Sequence, residues 1–530
     1  MVLFIRISYP FHKTLVDNFF FAFNPLVALV MIITGTTVAV SIIGSIVMVL
    51  LTVFFGRLFC GWACPLGTIF DSAARLFPAK KAKPPYGNGR YKNIKYYLLI
   101  FLFAGSFAGF SAVLMFDPLV FIFRVFTLNV YPFIVLAANQ FLNLIRPAAL
   151  KFGFYGVSML SYEQPVFNLG LLNLLFFLTV IGLIAVERRF WCRNLCPLGA
   201  FLGLLSRFSL WRRRVADTCT ACSLCARTCP MNAIGDDFLG TSSRECIVCE
   251  RCSPVCPVDA ISFTAGSPGP ATEFDPSRRG ALVSGIGGIV AGLAAGSSVS
   301  AKTTNGALLR PPGALVEKDF LDSCLRCGEC MKACPTHALQ PSFLQSGFEG
   351  LFTPVLVPCI GACEEQCNIC GLICPTGAIR SLPLEEKQYA VIGNAAIDRS
   401  LCIAWEQGKI CLICDEVCPY DAVEFRLVVD EKGAIKRPFV IEDKCTGCGQ
   451  CEHGCPVNGP KAIHVTPVNE VRKNTGSYIT EKVKRLREVD DDFVDFTGEK
   501  SLYQNEQEPV QPGGESPDEF EDDVPAGFGP

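Results

Sequence analysis

Residues 219–230 read Cys219-Thr-Ala-Cys222-Ser-Leu-Cys225-Ala-Arg-Thr-Cys229-Pro, and residues 246–257 repeat the spacing at Cys246, Cys249, Cys252 and Cys256, again closed by proline. Tight Cys-x2-Cys turns place three thiolates on one corner of a cube. In bacterial two-cluster proteins this run holds [4Fe–4S] clusters, and the fourth cysteine crosses to the other cluster. The reading therefore assigns Cys219, Cys222, Cys225 and Cys256 to one cluster, and Cys246, Cys249, Cys252 and Cys229 to a second. The proline after the fourth cysteine ends the local turn or helix. Zinc is the rival metal for four-cysteine sites, but it rarely takes three cysteines at this spacing plus a distant fourth.

Working outward, the same ending recurs four more times. Cys324, Cys327, Cys330 and Cys334, and then Cys445, Cys448, Cys451 and Cys455, keep the run unchanged. Cys363, Cys367, Cys370 and Cys374, and Cys402, Cys411, Cys414 and Cys418, stretch only the first gap. In all, 24 of the 29 cysteines fall into six quartets, so about six clusters are expected. Because the two irregular motifs are neighbours, a nested pairing is expected, first with fourth and second with third. Cys359 is left over and reads as a buried or spare thiol. The odd count and the strict repetition argue against a disulfide framework. Cluster ligation implies assembly in a reducing cytoplasm. The thiolates are ligands, not catalytic acids or bases.

Half the residues are hydrophobic and 18% are charged, which points to membrane segments. Apolar runs near 15–34, 37–56, 96–116 and 170–187 approach the ~20 residues that span a bilayer. The stretch 117–142 is interrupted by Asp117-Pro118, Arg124 and Pro132, and predicts a re-entrant or broken helix. The loop 57–95 carries eight basic residues, Arg57, Arg75, Lys80, Lys81, Lys83, Arg90, Lys92 and Lys95. Arg188, Arg189, Arg193, Arg207, Arg212, Arg213 and Arg214 follow the fourth run, whereas 117–169 has three. By the positive-inside rule both basic regions face the cytoplasm, and the cluster pair at 219–256 with them. A Pro/Gly/Ser linker at 267–280 then carries Ser277-Arg278-Arg279 ahead of an apolar, Gly/Ala-rich run ending near Val299. A twin arginine before such a run reads as an export signal, so the last four motifs are placed outside the cytoplasm. The alternative is a soluble linker. Residues 488–530 hold 14 Asp/Glu against one Lys, a local balance of −13, and read as a disordered tail.

A second motif repeats at an offset of 132 residues. Arg57-Leu-Phe-Cys60-Gly-Trp-Ala-Cys64-Pro-Leu-Gly matches Arg189-Phe-Trp-Cys192-Arg-Asn-Leu-Cys196-Pro-Leu-Gly. Asn24-Pro-Leu-Val and Asp117-Pro-Leu-Val precede the two copies. Both copies face the cytoplasm, which makes this a parallel repeat about an axis along the membrane normal. A spacing of four puts both thiols of each motif on one helix face. The repeat then brings Cys60, Cys64, Cys192 and Cys196 toward one another as a joint thiol or metal site and an additional electron stop. Structural packing, redox disulfides and copper handling are the alternatives. The only histidines are His12, His337, His453 and His464, none within a span, so no bis-histidine haem is expected in the bilayer. Asp117 and Arg124 are ionisable groups at membrane depth and candidates for handling a quinol proton. The competing reading is a capping Asp with a snorkelling Arg.

Residues 1–265 resemble the membrane polyferredoxins associated with periplasmic nitrate reductase and with nitrous-oxide reductase activation. The resemblance rests on the two Cys-x3-Cys-Pro-Leu-Gly motifs and the two cytoplasmic ferredoxin runs. Residues 277–470 resemble the exported four-cluster ferredoxin that accompanies that subunit, through Ser277-Arg278-Arg279, Cys-Pro-Thr-Gly-Ala-Ile at 374–379 and Cys-Thr-Gly-Cys-Gly-Gln-Cys-Glu at 445–452. The chain thus reads as a fusion of the two. The resemblance implies oxidation of membrane quinol and electron delivery to a periplasmic reductase or multihaem cytochrome, with further membrane subunits as partners and no nucleic acid.

The expected architecture is an α-helical membrane domain with an internal parallel repeat over 1–214, followed by a cytoplasmic α+β ferredoxin domain with two [4Fe–4S] clusters over 215–265. A linker and twin-arginine anchor (266–305), an extracytoplasmic ferredoxin domain with four clusters (306–470) and an acidic tail (471–530) complete it. Multi-pass insertion in the cytoplasmic membrane follows. Two alternatives stand beside the quinol reading: a copper reductase or assembly factor using the cysteine pairs, and an electron-transfer subunit without its own quinol site.

Overall fold

A computed structural model describes residues 19–33, 39–76, 93–108, 115–266, 277–302, 308–430 and 433–479. The acidic segment 488–530, residues 80–92 of the basic loop, residues 267–276 of the linker and His12 lie outside the described residues.

Two short helices open the two halves of the N-terminal region, and each begins at a capped proline. Asn24 Oδ1 accepts the Leu26 N–H at 3.0 Å ahead of α1 (Pro25–Ile33). The chain continues as α2 (Ala39–Phe55), α3 (Leu58–Trp62), α4 (Pro65–Leu76) and α5 (Ile94–Phe107). In the second half, Asp117 Oδ1 accepts from Leu119 and Val120 at 2.9 and 3.2 Å ahead of α6 (Pro118–Val125). A proline at N1 behind an Asn or Asp cap satisfies the first-turn donors, so Asp117 acts as a cap. A π-turn (Phe126–Val130), α7 (Tyr131–Lys151), α8 (Gly170–Gly182), α9 (Phe190–Asn194) and α10 (Pro197–Leu205) follow.

Residues 118–151 run as one helix that starts at the Asp117-Pro118 interruption and continues through Arg124 and Pro132, which corrects the breaks expected at those two residues. Pro132 has no N–H for the carbonyl four residues back, and the wider π-turn just before it absorbs the defect. Among the described residues this helix is the one long and apolar enough to cross a membrane; 42–55, 94–107, 170–185 and 197–208 are apolar but shorter.

The first cysteine-rich unit is closed by β1 (Trp211–Val215) pairing antiparallel with β2 (Ile261–Ala265). Helix α11 (Arg278–Lys302) then packs along α5. Ser277 N–H donates to Tyr97 Oη at 2.9 Å at its start, and Gly288 and Gly292 lie against Phe101, Gly105 and Ala108 further along. Small residues allow this close helix approach. The helices run parallel, and the twelve residues from Gly280, beside Tyr97, to Gly292, beside Ala108, cover ~18 Å. The second cysteine-rich unit holds β3 (Leu339–Pro341) with β4 (Pro354–Leu356), β5 (Asn394–Ile397) with β8 (Ile463–Thr466), and the hairpin of β6 (Val423–Asp430) and β7 (Gly433–Val440), all antiparallel.

The first unit seats on the α3–α5 end of the helices. Buried Lys95 Nζ donates to both oxygens of Glu245 at 2.7 and 2.6 Å, Arg57 Nη1 to the Arg244 carbonyl at 2.8 Å, and Trp62 Nε1 to the Val248 carbonyl at 2.9 Å. The second unit seats on the π-turn and the 166–168 loop. Gln340 Nε2 donates to the Val166 carbonyl at 3.1 Å and its Oε1 accepts from the Asn168 N–H at 3.3 Å, while Leu128 and Phe167 share one apolar core with Met331, Leu339 and Phe352. A Cβ on Gly328, whose φ is +84°, would lie 3.0 Å from Thr127 Cγ2, so the loop carrying Cys327 meets the π-turn directly.

Candidate iron–sulfur centres

Three of the four regular motifs, and the stretched 363 motif with them, share one local build; the 246–256 run carries its cysteines on turns without a helix. Cys225, Cys330, Cys370 and Cys451 ride on five-residue helices over 224–228, 329–333, 369–373 and 450–454. The fourth cysteine, Cys229, Cys334, Cys374 or Cys455, sits past the helix end in extended conformation, because the residue before proline avoids the α region. Backbone N–H groups then point at these sulfurs: Ala233 to Cys229 at 3.4 Å, Ala260 to Cys256 at 3.3 Å, Ala422 to Cys418 at 3.4 Å. Such donors stabilise thiolates and tune a bound cluster.

The quartets form by crossing. Cys219, Cys222, Cys225 and Cys256 line one small apolar recess with Phe238 and Ile261. Cys229, Cys246, Cys249 and Cys252 line a second with Met231 and Phe263. In the second unit Cys402, Cys411 and Cys414 share a recess with Cys455, and Cys445, Cys448 and Cys451 share one with Cys418. Cys324, Cys327 and Cys330 lie in mutual electrostatic reach with Cys374, and Cys363, Cys367 and Cys370 with Cys334. The motifs therefore pair in chain order, first with second and third with fourth, which overturns the nested order. The stretched first gaps of the 363 and 402 motifs are accommodated inside each pair. Among the described residues, no group of three or more His, Cys, Asp or Glu converges tightly enough for a single metal ion. Thiols spread around apolar recesses suit a multi-iron cube rather than one zinc. Cys359 is exposed, not buried, and its thiol donates to Glu452 Oε1 at 2.9 Å.

The Cys-x3-Cys motifs depart from the expected helix face. Cys60 and Cys192 lie within α3 and α9, while Cys64 and Cys196 fall beyond the helix ends, each before a proline. The four thiols still converge: Cys64 and Cys196 are both within electrostatic reach of Cys60 and Cys192. Arg57 is within reach of Cys60 and Cys196, and Arg189 of Cys192 and Cys249, so a guanidinium flanks each side. Cys60 and Cys192 also pack against Ile247 together with Cys246 and Cys249. A Cβ on Gly61 would come within 2.3 Å of the Ile247 carbonyl, so only glycine permits this approach.

The apolar clusters of the protein link all these sites. Cys229 belongs to the packing around both quartets of the first unit. Cys64 and Cys196 share a single buried cluster with Phe121, Trp191 and, from the second unit, Leu325 and Cys327. Phe121 stacks on Trp191 with centroids 6.1 Å apart. Cys330, Cys334, Cys363, Cys370, Cys418, Cys445 and Cys451 then share a further core.

Arg124 does not snorkel, as the bland reading of the sequence expected; it is 1% exposed, with its guanidinium 4.4 Å from the Phe352 ring of the second unit. The sequence reading also missed three charge nodes, each of which joins residues more than 100 positions apart. They are Arg57–Glu245–Lys95, the pair of Asp71 salt bridges to Arg189 and Arg251, and Glu317 between Arg310 and Arg472. Burial alone would raise the Glu317 carboxyl, but the two guanidinium groups override it and hold it at about 2. No local pattern signals such pairs.

Comparison with known proteins agrees with the cysteine geometry. Residues 37–84 and 169–216, which contain the two Cys-x3-Cys-Pro motifs, each match the family described as a 4Fe-4S binding domain. Residues 245–338 and 409–458 match the 4Fe-4S dicluster domain. The chain is 39% identical over 206 residues to the methylamine utilization ferredoxin-type protein MauM of Methylorubrum extorquens, covering 36% of this chain and 90% of that protein. It is 39% identical over 168 residues to the MauM of Methylobacillus flagellatus, covering 30% and 68%. It is 35% identical over 205 residues to the ferredoxin-type protein NapG of Escherichia coli, covering 37% and 87%.

Proposed function

Because this chain is an iron–sulfur electron-transfer protein belonging to the MauM/NapG ferredoxin-type family, we propose that it carries electrons from membrane quinol to an extracytoplasmic redox partner. In this reading residues 1–214 are a membrane domain, 215–265 and 306–470 are ferredoxin domains on opposite faces, and 266–305 anchor the second in the inner membrane. Residues 471–479 pack back on the second unit, where Arg472 pairs with Glu317 and Tyr478 is buried, which moves the expected start of the acidic tail at 471 beyond residue 479. The chain then joins a membrane polyferredoxin to an exported four-cluster ferredoxin.

Six [4Fe–4S] clusters would be held by the quartets 219/222/225/256, 229/246/249/252, 324/327/330/374, 334/363/367/370, 402/411/414/455 and 418/445/448/451. When bound, such clusters supply reversible one-electron storage. The chain's own residues hold them apart in apolar recesses, direct N–H donors at the sulfurs, and fill the space between with packed side chains. Cys60, Cys64, Cys192 and Cys196 are proposed as a joint metal site and electron stop between the cytoplasmic pair and the second unit. A periplasmic reductase or multihaem cytochrome is the proposed recipient.

The observation that carries this reading is the continuous packing of one cysteine group against the next, with Cys64, Cys196 and Cys327 in the same buried cluster. The parallel course of α5 and α11 supports a two-sided arrangement, since α11 starts beside Tyr97, two residues from the Lys95 contact with the first unit, and runs along α5 away from that contact. The test is anaerobic purification with iron analysis, followed by addition of a reduced quinol under EPR. Quinol-dependent cluster reduction supports the reading, and clusters that respond only to a strong artificial reductant refute the quinol step. For the cysteine pairs, a Cys60→Ser/Cys192→Ser protein with unchanged iron, copper and zinc and full electron transfer refutes the joint site.

A further inference from the structure

Arg124 is among the largest fully buried side chains of the protein. Its Nε donates to Asn173 Oδ1 at 3.1 Å, and Asn173 Nδ2 donates in turn to Asn129 Oδ1 at 2.8 Å. Its Nη1 and Nη2 have no hydrogen-bond partner among the described residues. The charged groups that act on it are Arg326 and Cys327 of the second unit. A buried guanidinium facing another cation, with two nitrogens unbonded, is costly unless a negative charge arrives to compensate it.

The other cations on this face are engaged. Arg326 directs its nitrogens at the carbonyls of Leu321, Cys324 and Glu349. Lys332, beside Cys330, is paired with Glu329 at 2.5 Å. Arg124 is therefore left uncompensated, and the group next to it able to carry negative charge is the Cys327 thiolate with the centre it would help to hold.

We propose that Arg124 is the counter-charge of the centre at Cys324, Cys327, Cys330 and Cys374, and that it makes this centre the entry port for electrons passing from the helical domain into the second ferredoxin unit. The inference rests on the reading that these four cysteines bind a [4Fe–4S] cluster. One added electron makes a four-thiolate cluster one unit more negative, so a fixed cation in a low-dielectric setting favours the reduced form and raises its potential. The electron leaves a donor on the helical side, which is oxidised by one electron; no bond is made or broken and no proton moves. Arg124 belongs to one domain and the cysteines to another, so the tuning exists only while the two are docked. Leu325 and Cys327 lie in the same buried cluster as Cys64 and Cys196, the side from which the electron would come. Asn173 is a positioning residue that fixes the direction of the guanidinium.

The test is an EPR-monitored redox titration of the full-length protein, purified anaerobically, as wild type and as Arg124→Gln, Arg124→Met and Arg124→Lys. Met retains an apolar stem in an apolar site and covers the case in which the Gln protein does not accumulate. The expected result is a negative midpoint shift of one centre in the neutral variants, unchanged midpoints for the others, and restoration of most of the shift in Arg124→Lys. Full iron content with no shift in the neutral variants, or an equal shift in Arg124→Lys, overturns the proposal. Wild-type iron content that Cys374→Ser does not lower overturns the cluster reading beneath it, so the two failures are distinguishable.

Discussion

The seat of the first cysteine-rich unit turns on one carboxylate. Glu245 receives Lys95 at 2.6 and 2.7 Å, and Arg57 lies 3.7 Å from the same carboxylate. The side chains of Lys95, Arg57 and Glu245 are 0%, 1% and 9% exposed. Glu245→Met leaves two buried cations without their acid, a change that costs about 3–5 kcal/mol when a buried pair loses one partner. At 1.4 kcal/mol per tenfold, local opening of this segment becomes more frequent by roughly a hundred- to several-thousand-fold. Amide hydrogen exchange of residues 243–250 in the purified full-length protein reads this directly, since it reports local opening free energies. Removing both charges, as Lys95→Met/Glu245→Met, is expected to cost less than Glu245→Met alone, because a matched apolar pair replaces an ion pair nearly neutrally. Unchanged exchange in Glu245→Met, or faster exchange in the double variant than in the single, refutes the reasoning.

Three further outcomes follow from the geometry. Chain-order pairing predicts that Cys324→Ser and Cys374→Ser abolish the same EPR signal and that Cys455→Ser abolishes a different one; a shared signal for Cys324 and Cys455 restores nesting. Glu317, held at about 2 against an ordinary 4.5, contributes stability that is complete above pH 4.5 and lost as pH falls toward 2. Glu317→Gln is therefore expected to lower stability at neutral pH and to flatten its pH dependence between 4.5 and 2, as read by acid-unfolding midpoints. A Cβ on Gly288 would meet the Phe101 carbonyl at 2.2 Å, so Gly288→Leu should separate α11 from α5 and abolish a crosslink between engineered cysteines on the two helices.

The cysteine runs were legible because cluster ligation is local: Cys-x2-Cys-x2-Cys and its proline dictate a turn, a short helix and an extended fourth ligand within eleven residues. The crossing of Cys229 and Cys256 follows the same rule. The order of pairing in the second unit was not legible, since it depends on which strands close on which, and β5 finds β8 about seventy residues away. The helix through Pro132 was misjudged because a π-turn hides from a pattern that counts breakers. Cys60 and Cys64 were expected on one helix face, but Pro65 ends the helix between them. Asp117 and Arg124 looked alike in the sequence, as polar groups at the start of one apolar run. Only tertiary structure separates them, the first as a cap whose Oδ1 accepts from Leu119 and Val120, the second as a cation lying under the second unit.

The central claim is that the two ferredoxin units stand on opposite faces of one membrane. Protease treatment of intact spheroplasts tests it most directly, with fragments mapped across residues 211–266 and 308–479. The account predicts cleavage within 308–479 from outside the cell, with 211–266 protected until the membrane is opened. Protection of both regions in intact spheroplasts, with both becoming cleavable on lysis, would contradict it.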